Sequence, residues 1–260
     1  MGIVKVIKGD IFADFEKGKF DIIGHGCNCM NLMGAGIADK ISKGYPKAYE
    51  TDAEVYRVAG GRGHKPCQKL LGKLSVARLK QGRITNLYTQ LKTGKDARYD
   101  ALESALLSLN QYCKVNQLKK VGLPMIGAGI GGLDPKAVVV IMNHILKDVD
   151  VYLYVFEEAM FNTLSTWGNH SEPQYFAGVA VVNEDGVTLF RHRKNKVHRS
   201  NPPVERMSLS NAQVTPPLKG SMQRAVTFGS EPDVYILAAN EKDAEAIVDI
   251  SNIKFLAAKN

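Results

Sequence analysis

The stretch from Val121 to Leu146 restricts the fold more than any other part of the chain. An apolar run of strand length, Val121–Ile126, enters Gly127-Ala128-Gly129-Ile130-Gly131-Gly132-Leu133. A helical pattern then follows, with Pro135 in its first turn, where a missing N–H costs nothing. Strand, glycine-rich turn and helix in succession form the unit of a layered α/β sheet. The unit occurs a second time. Phe20–Ile23 reads as a strand, and Met33-Gly34-Ala35-Gly36-Ile37-Ala38 leads into helical residues 36–43. Glycine lets backbone N–H groups approach an anion with no side chain between, and a helix N-terminus adds its dipole. Two such turns on one sheet edge could hold a diphosphate from both sides. Neither ends in Gly-Lys-Ser/Thr, and neither fits the dinucleotide fingerprint, so both familiar nucleotide loops are excluded.

The rest of residues 1–160 fits the same plan. Ile3–Ile7, Lys73–Leu79, Ile84–Thr89 and Val151–Phe156 read as strands. Helical material over 36–58 breaks at Gly44-Tyr45-Pro46, since proline drives its predecessor out of helical angles. Leu102, Ala105, Leu106, Leu109 and Cys113 recur at spacings of three and four, giving one apolar stripe over a helix from Tyr99 to Val115. Strands alternating with helices predict an α/β sheet.

Charge and cysteine usage narrow the setting. Of the formal net charge of +8, residues 1–160 carry 23 Lys and Arg against 16 Asp and Glu, so nearly all the excess lies on the glycine-loop segment and favours a polyanionic ligand. Four cysteines (Cys27, Cys29, Cys67 and Cys113) form no disulfide framework, and the expected setting is reducing and cytoplasmic. No apolar run reaches the length that spans a bilayer, and Met1-Gly2-Ile3-Val4-Lys5 does not open a secretory signal, so no membrane partner is expected.

Two further segments carry chemistry. Asp10, in Lys8-Gly9-Asp10-Ile11 after the first strand, either caps the following turn or accepts a hydrogen bond from an exocyclic amine. Gly24-His25-Gly26-Cys27-Asn28-Cys29, leaving the second strand, offers an imidazole, two thiols and a carboxamide just before the first glycine loop. Cys27-x-Cys29 with His64-x-x-Cys67 has irregular spacing for zinc, and free thiols are the simpler reading. Neither a metal nor a cofactor is demanded.

Taken in order, Gly9-Asp10-Ile11, His25-Gly26-Cys27-Asn28, Met33-Gly34-Ala35-Gly36-Ile37-Ala38 and Leu123-Pro124-x-Ile126-Gly127-Ala128-Gly129-Ile130-Gly131-Gly132-Leu133 resemble the macro domain family. The resemblance is to its branch of ADP-ribose-1″-phosphate phosphatases and terminal ADP-ribose glycohydrolases, and it runs from about Val4 to Phe156. It implies a three-layer α/β/α domain with a mixed sheet that binds ADP-ribose or ADP-ribose 1″-phosphate. Asp10 would meet the adenine amine with Ile11 beside it, and residues 33–38 would hold the proximal phosphate. Residues 127–133 would wrap the diphosphate and distal ribose, which His25, Cys27 and Asn28 would face, with Gly26 also among the ligand-binding residues. The implied activity is hydrolysis of the terminal phosphate, with His25 as acid/base or phosphate partner and Asn28 and Asp134 placing sugar and water. The rivals are an ADP-ribosyl glycohydrolase and a non-catalytic ADP-ribose reader. Glycohydrolases of this branch carry a lysine where this chain has Gln90, and only a shifted alignment would bring Lys92 there. Asp134, just before Pro135, is equally placed to be a helix N-cap.

The remainder lies outside the resemblance. Residues 161–174, rich in Ser, Thr and Asn, read as a linker, and 175–260 as a small β-rich α+β module. Its strands Tyr175–Val182 and Val187–His192 flank the turn Asn183-Glu184-Asp185-Gly186, Val234–Ala238 reads as a third, and a helical pattern covers Glu241–Ile250. The basic run 191–199 could contact nucleic acid, though a solvated loop explains it as well.

Overall fold

The computed structural model describes residues 2–165, 176–183, 186–191, 204–207, 214–215, 225–228, 234–237, 242 and 254–256. Its first sheet comprises β1 (Gly2–Lys8), β2 (Ile22–Asn28), β3 (Leu74–Arg78), β4 (Arg83–Gln90), β5 (Lys120–Pro124), β6 (Asp150–Val155) and β13 (Lys254–Leu256), in the order β13-β1-β6-β5-β2-β4-β3. All neighbours run parallel except β3 against β4, so the sheet is mixed.

Alternation along the strands builds two cores. Ile22, Leu87, Leu123 and Leu153 pack with α4 (Tyr99–Val115) and α5 (Pro135–Ile145). Their chain neighbours Ile23, Tyr88 and Tyr154 point through the opposite face, where α1 (Ile11–Glu16), α2 (Gly36–Gly44) and α3 (Pro46–Val58) supply Ile11, Phe15, Ile41 and Tyr56. This is the expected three-layer α/β/α arrangement. Each such side chain, buried to a few per cent exposure or less, contributes about 1.5–3 kcal/mol. The expected helix break holds: α2 stops at Gly44, Tyr45 sits at φ −136° and ψ 69°, and Pro46 opens α3. The six-residue α1 has no counterpart in the sequence reading.

Beyond β6, α6 (Glu158–Ser165) occupies the start of the segment read as a linker. A second sheet has the order β10-β11-β12-β7-β8-β9, with β7 (Phe176–Asn183), β8 (Gly186–Arg191), β9 (Val204–Met207), β10 (Val214–Thr215), β11 (Ala225–Phe228) and β12 (Val234–Leu237). Here β7 and β8 pair antiparallel from Asn183 opposite Gly186, where the hairpin was expected. Of the helical pattern at 241–250 only Lys242 is described, and residues 192–199 of the basic run lie outside the described residues. Among the described residues no helix is long and apolar enough to cross a membrane.

Candidate functional site

Five adjacent parallel strands, β1, β6, β5, β2 and β4, end on one edge of the first sheet, and a cavity of about 770 Å³ runs along it. From β1 to β4 is four strand spacings, roughly 19 Å at about 4.8 Å each. Asp10, Ile11, Phe12 and Phe156 line the β1–β6 end. Gly26, Asn28, Gln90 and Thr93 line the β2–β4 end. Between them stand the two glycine loops, Gly34 to Ala38 on one side and Gly127 with Gly129 to Gly131 on the other. The loops meet over the cavity, since a methyl built on Gly36 would lie 3.9 Å from Ile130 Cδ1.

Backbone conformation makes both loops anion-competent. Gly36, at φ 57°, turns the chain into α2 through the left-handed region that other residues avoid. The N-cap position of α2 is Ala35, which has no side-chain acceptor, so the first N–H groups of the helix are uncapped. In the second loop, φ is 79° at Gly127 and 81° at Gly132, and a side chain on Gly131 would come within 2.7 Å of Ala97 Cβ and of Gly127 O. At Gly34 and Gly129, by contrast, a methyl meets nothing within 4 Å. Some of these glycines shape the loop, and others keep the cavity open. Lys40 adds a cation at the rim, its Nζ 5.3 Å from the ring centroid of Phe156, which is 77% exposed.

The sequence-derived candidates divide. Gly9, Asp10, Ile11, Gly26, Cys27, Asn28, Gly34, Ala35, Gly36, Ile37, Ala38, Gly127, Gly129, Ile130 and Gly131 all line the cavity. Asp10 is at once a lining residue and a cap, its Oδ1 accepting the Phe12 N–H at 2.9 Å. Asn28 lines the cavity but spends its carboxamide on the 28–32 turn: Oδ1 accepts from Met30 N at 3.0 Å, and Nδ2 donates to Leu32 O at 2.7 Å. Met33 and Leu133 are buried in the cores, and Ala128 packs against one, so these three support the loops from behind. Gly132 stacks under Lys95, outside the lining.

Two expected catalytic residues are elsewhere. His25 has no exposed surface and takes no part in the lining. Because β2 runs to Asn28, strand alternation sends Gly26 toward the cavity and His25 into the α3 side. There its Nε2 donates to Asn86 Oδ1 at 2.7 Å, while Asn86 Nδ2 donates to Ser75 Oγ and Ala48 O. Burial holds the imidazole neutral, with its pKa lowered to about 4. The Cys27 thiol lies 3.4 Å from that ring, and burial raises its pKa well above the ordinary thiol range. The same network continues to Asp52, which accepts from Tyr88 OH and Asn31 Nδ2, each at 2.7 Å. Asp134 is the α5 N-cap, its Oδ1 accepting from Lys136 N and Ala137 N, and it does not reach the cavity.

Gln90, not Lys92, lines the cavity, and its Nε2 donates to Lys92 O at 2.7 Å. Asp96 organises the turn beyond, accepting from Leu91 N and Lys92 N at 2.8 Å, and so presents Thr93 and Gly94 to the cavity. Sequence reasoning missed these two, with Phe12, Lys40, Phe156 and Glu157. The rule that picked out Asp10, an acid just past a strand end, would have found Glu157 after β6, whereas the sequence reads Phe156 as part of that strand. Among the described residues no group of three or more His, Cys, Asp or Glu side chains is placed to hold a metal ion.

Comparison with known proteins adds four findings. Residues 25–142 match the family model described as "Macro domain". A protein of bacteriophage T4, described as an uncharacterized 17.5 kDa protein in the tk-vs intergenic region, is 40% identical over 134 residues, covering 50% of this chain and 81% of that protein. The human ADP-ribose glycohydrolase OARD1 is 24% identical over 153 residues, covering 59% and 90% respectively. Two solved structures share the fold at a TM-score of 0.50. The macrodomain of Thermus aquaticus DarG does so at 19% identity, covering 59% of this chain and 99% of that one. A protein of unknown function from Bacteroides thetaiotaomicron does so at 24%, covering 59% and 98%.

Proposed function

This chain belongs to the macro domain family, and from that premise we propose that it binds ADP-ribose along the strand-end cavity and hydrolyses the terminal phosphate of ADP-ribose 1″-phosphate. One observation carries the reading: a cavity about four strands long has an acidic and aromatic end, a far end lined by glycine and carboxamides, and two N–H-rich glycine loops facing each other between them. A diphosphate fits between the loops, where N–H groups and the α2 dipole oppose its charge. Asp10 accepts from the adenine amine, and Phe156 offers the ring an apolar face. The distal ribose then falls at Gly26, Asn28 and Gln90. The human relative, an ADP-ribose glycohydrolase, supports an ADP-ribose compound as the ligand.

Gln90 favours phosphate removal over the glycosidic reaction. A carboxamide is no nucleophile, so a covalent adduct with the opened ribose does not form there. In the proposed reaction, water attacks phosphorus, the P–O bond to the anomeric carbon's oxygen breaks, and inorganic phosphate and ADP-ribose leave. With His25 and the Cys27 thiol turned inward, the distal end acts by position and by hydrogen bonds to phosphoryl oxygens rather than through an ionisable base. Incubation with ADP-ribose 1″-phosphate, ADP-ribosylated protein and ADP-ribosylated DNA tests this. Phosphate release from the first alone is expected. Consumption of either adduct instead would establish the glycohydrolase, and binding of ADP-ribose with no consumption would establish a reader.

A further inference from the structure

Asp52 is a buried carboxylate that the proposed reaction does not use. It stands in the middle of α3 with 1% exposure, and burial raises its pKa. A charge so placed is costly unless its oxygens are met. Here Oδ1 accepts from Tyr88 OH on β4 and Oδ2 from Asn31 Nδ2, each at 2.7 Å. The Tyr88 hydroxyl has a second neighbour in Ser75 Oγ at 3.2 Å and can turn to it, so the bond that matters is the one to Asn31. At φ 54°, Asn31 is one of three non-glycine residues at positive φ among the described residues. Residues with a Cβ enter that left-handed region at a cost, and asparagine does so where its side chain finds a hydrogen bond. The turn around it shapes the distal end of the cavity. Asn28 Oδ1 accepts from Met30 N at 3.0 Å and Leu32 N at 3.4 Å, and Asn28 Nδ2 donates to Leu32 O at 2.7 Å. The outer side of the turn is fastened too: Cys67 N donates to Cys29 O at 2.8 Å, and His64 Nδ1 donates to Met30 O at 3.1 Å. Asn28, Leu32 and, just beyond them, Gly34 line the cavity.

We propose that Asp52 is a positioning residue: by holding Asn31 in the left-handed region it sets the 28–32 turn, and so places Asn28 and Leu32 against the ligand's distal ribose. Asp52 itself lies outside the cavity lining, to which α3 contributes no residue. The inference rests on the ADP-ribose reading and adds to it the side chain that keeps the distal end in shape. ADP isolates that end, because it shares the adenosine and diphosphate but stops before the distal ribose.

The test takes the full chain and two pairs of variants through calorimetric titration with ADP-ribose and with ADP, alongside thermal melts. Asp52→Asn keeps an acceptor for Asn31, since the Tyr88 hydroxyl can turn to Ser75, whereas Asp52→Leu removes it. Asn31→Gly takes the left-handed conformation unaided, whereas Asn31→Ala resists it. Wild type should prefer ADP-ribose. Asp52→Leu and Asn31→Ala should lose about tenfold in ADP-ribose affinity while ADP affinity moves less than about threefold. Asp52→Asn and Asn31→Gly should stay within about threefold of wild type for both ligands. A merely structural aspartate would lower the melting temperature, or both affinities together, and leave their ratio unchanged. That result overturns the proposal and leaves the ADP-ribose reading standing, as does a loss of the ratio in the conservative variants as large as in the disruptive ones. Equal wild-type affinity for the two ligands overturns it too, because the distal end then contributes nothing. Should Asp52→Leu fail to fold, Asn31→Ala against Asn31→Gly decides by the same ratio. If wild type binds no ADP-ribose, the proposal and the ADP-ribose reading both fall.

Discussion

At the scale of single residues, His25 and Asp134 separate stability from binding. Burial lowers the His25 pKa from 6.5 to about 4. As pH falls from 6.5 toward 4, the unfolded chain takes up a proton that the folded imidazole refuses, so this residue's contribution is present above 6.5 and declines through that window. The ceiling is about 3 kcal/mol. Asp52 acts in the opposite sense: burial raises its pKa, so its ionised form is a cost that acidification relieves. The prediction is therefore differential. Denaturant titrations of wild type and His25→Gln across pH 7 to 4 should show the steeper loss in wild type, while ADP-ribose affinity at pH 7.5 differs by less than about threefold. Parallel pH profiles would mean that His25 is not held neutral. Asp134→Ala should remove a cap that accepts two N–H groups and cost about 1 kcal/mol in stability. Its ADP-ribose affinity should stay put, and a loss of affinity with no loss of stability would return Asp134 to the site.

At the scale of elements, the second glycine loop predicts a contrast between neighbours two residues apart. Gly129→Val puts a side chain into open space beside the diphosphate, so binding should fall at least about tenfold with little change in melting temperature. Gly131→Val drives a side chain into Ala97 and the Gly127 carbonyl and should lower the melting temperature as well as binding. Equal thermal damage from both would mean that the loop's glycines serve the fold alone. These loops were legible in the sequence because their signal is local: glycine spacing, a preceding apolar run and a helix start. His25 was misplaced for an equally definite reason. The second strand reads as ending at Ile23, where the apolar run gives way to glycine, yet β2 continues to Asn28 because β4 pairs with it along that whole length. Once the strand is extended, alternation assigns Gly26 to the cavity and His25 to the core.

At the scale of the whole molecule, the question is what the later strands do for the first sheet. Among the described residues, every one that lines the cavity lies at or before Met160. Yet β13, from near the end of the chain, pairs parallel with β1, Lys5 opposite Lys254 and Ile7 opposite Leu256. Val181 of β7 is buried in the same core cluster as Val138 and Ile141 of α5. This dependence could not be read from sequence, because strand pairing across some 250 residues leaves no local trace. A chain ending at Ser165 should consequently fold and bind ADP-ribose within about threefold of the full chain, but melt at a lower temperature. Its β1 edge loses backbone partners and α5 loses apolar cover. Lys5 and Lys8 on that edge should keep the fragment monomeric, since charged edges resist strand addition. Calorimetric titration, melting curves and gel filtration of the fragment check the three parts separately. A fragment that stays folded by circular dichroism but binds no ADP-ribose would show that the later strands hold the cavity in shape. In that case β13 would act by fixing the β1 end, where Asp10 and Phe12 follow directly from the strand it pairs with.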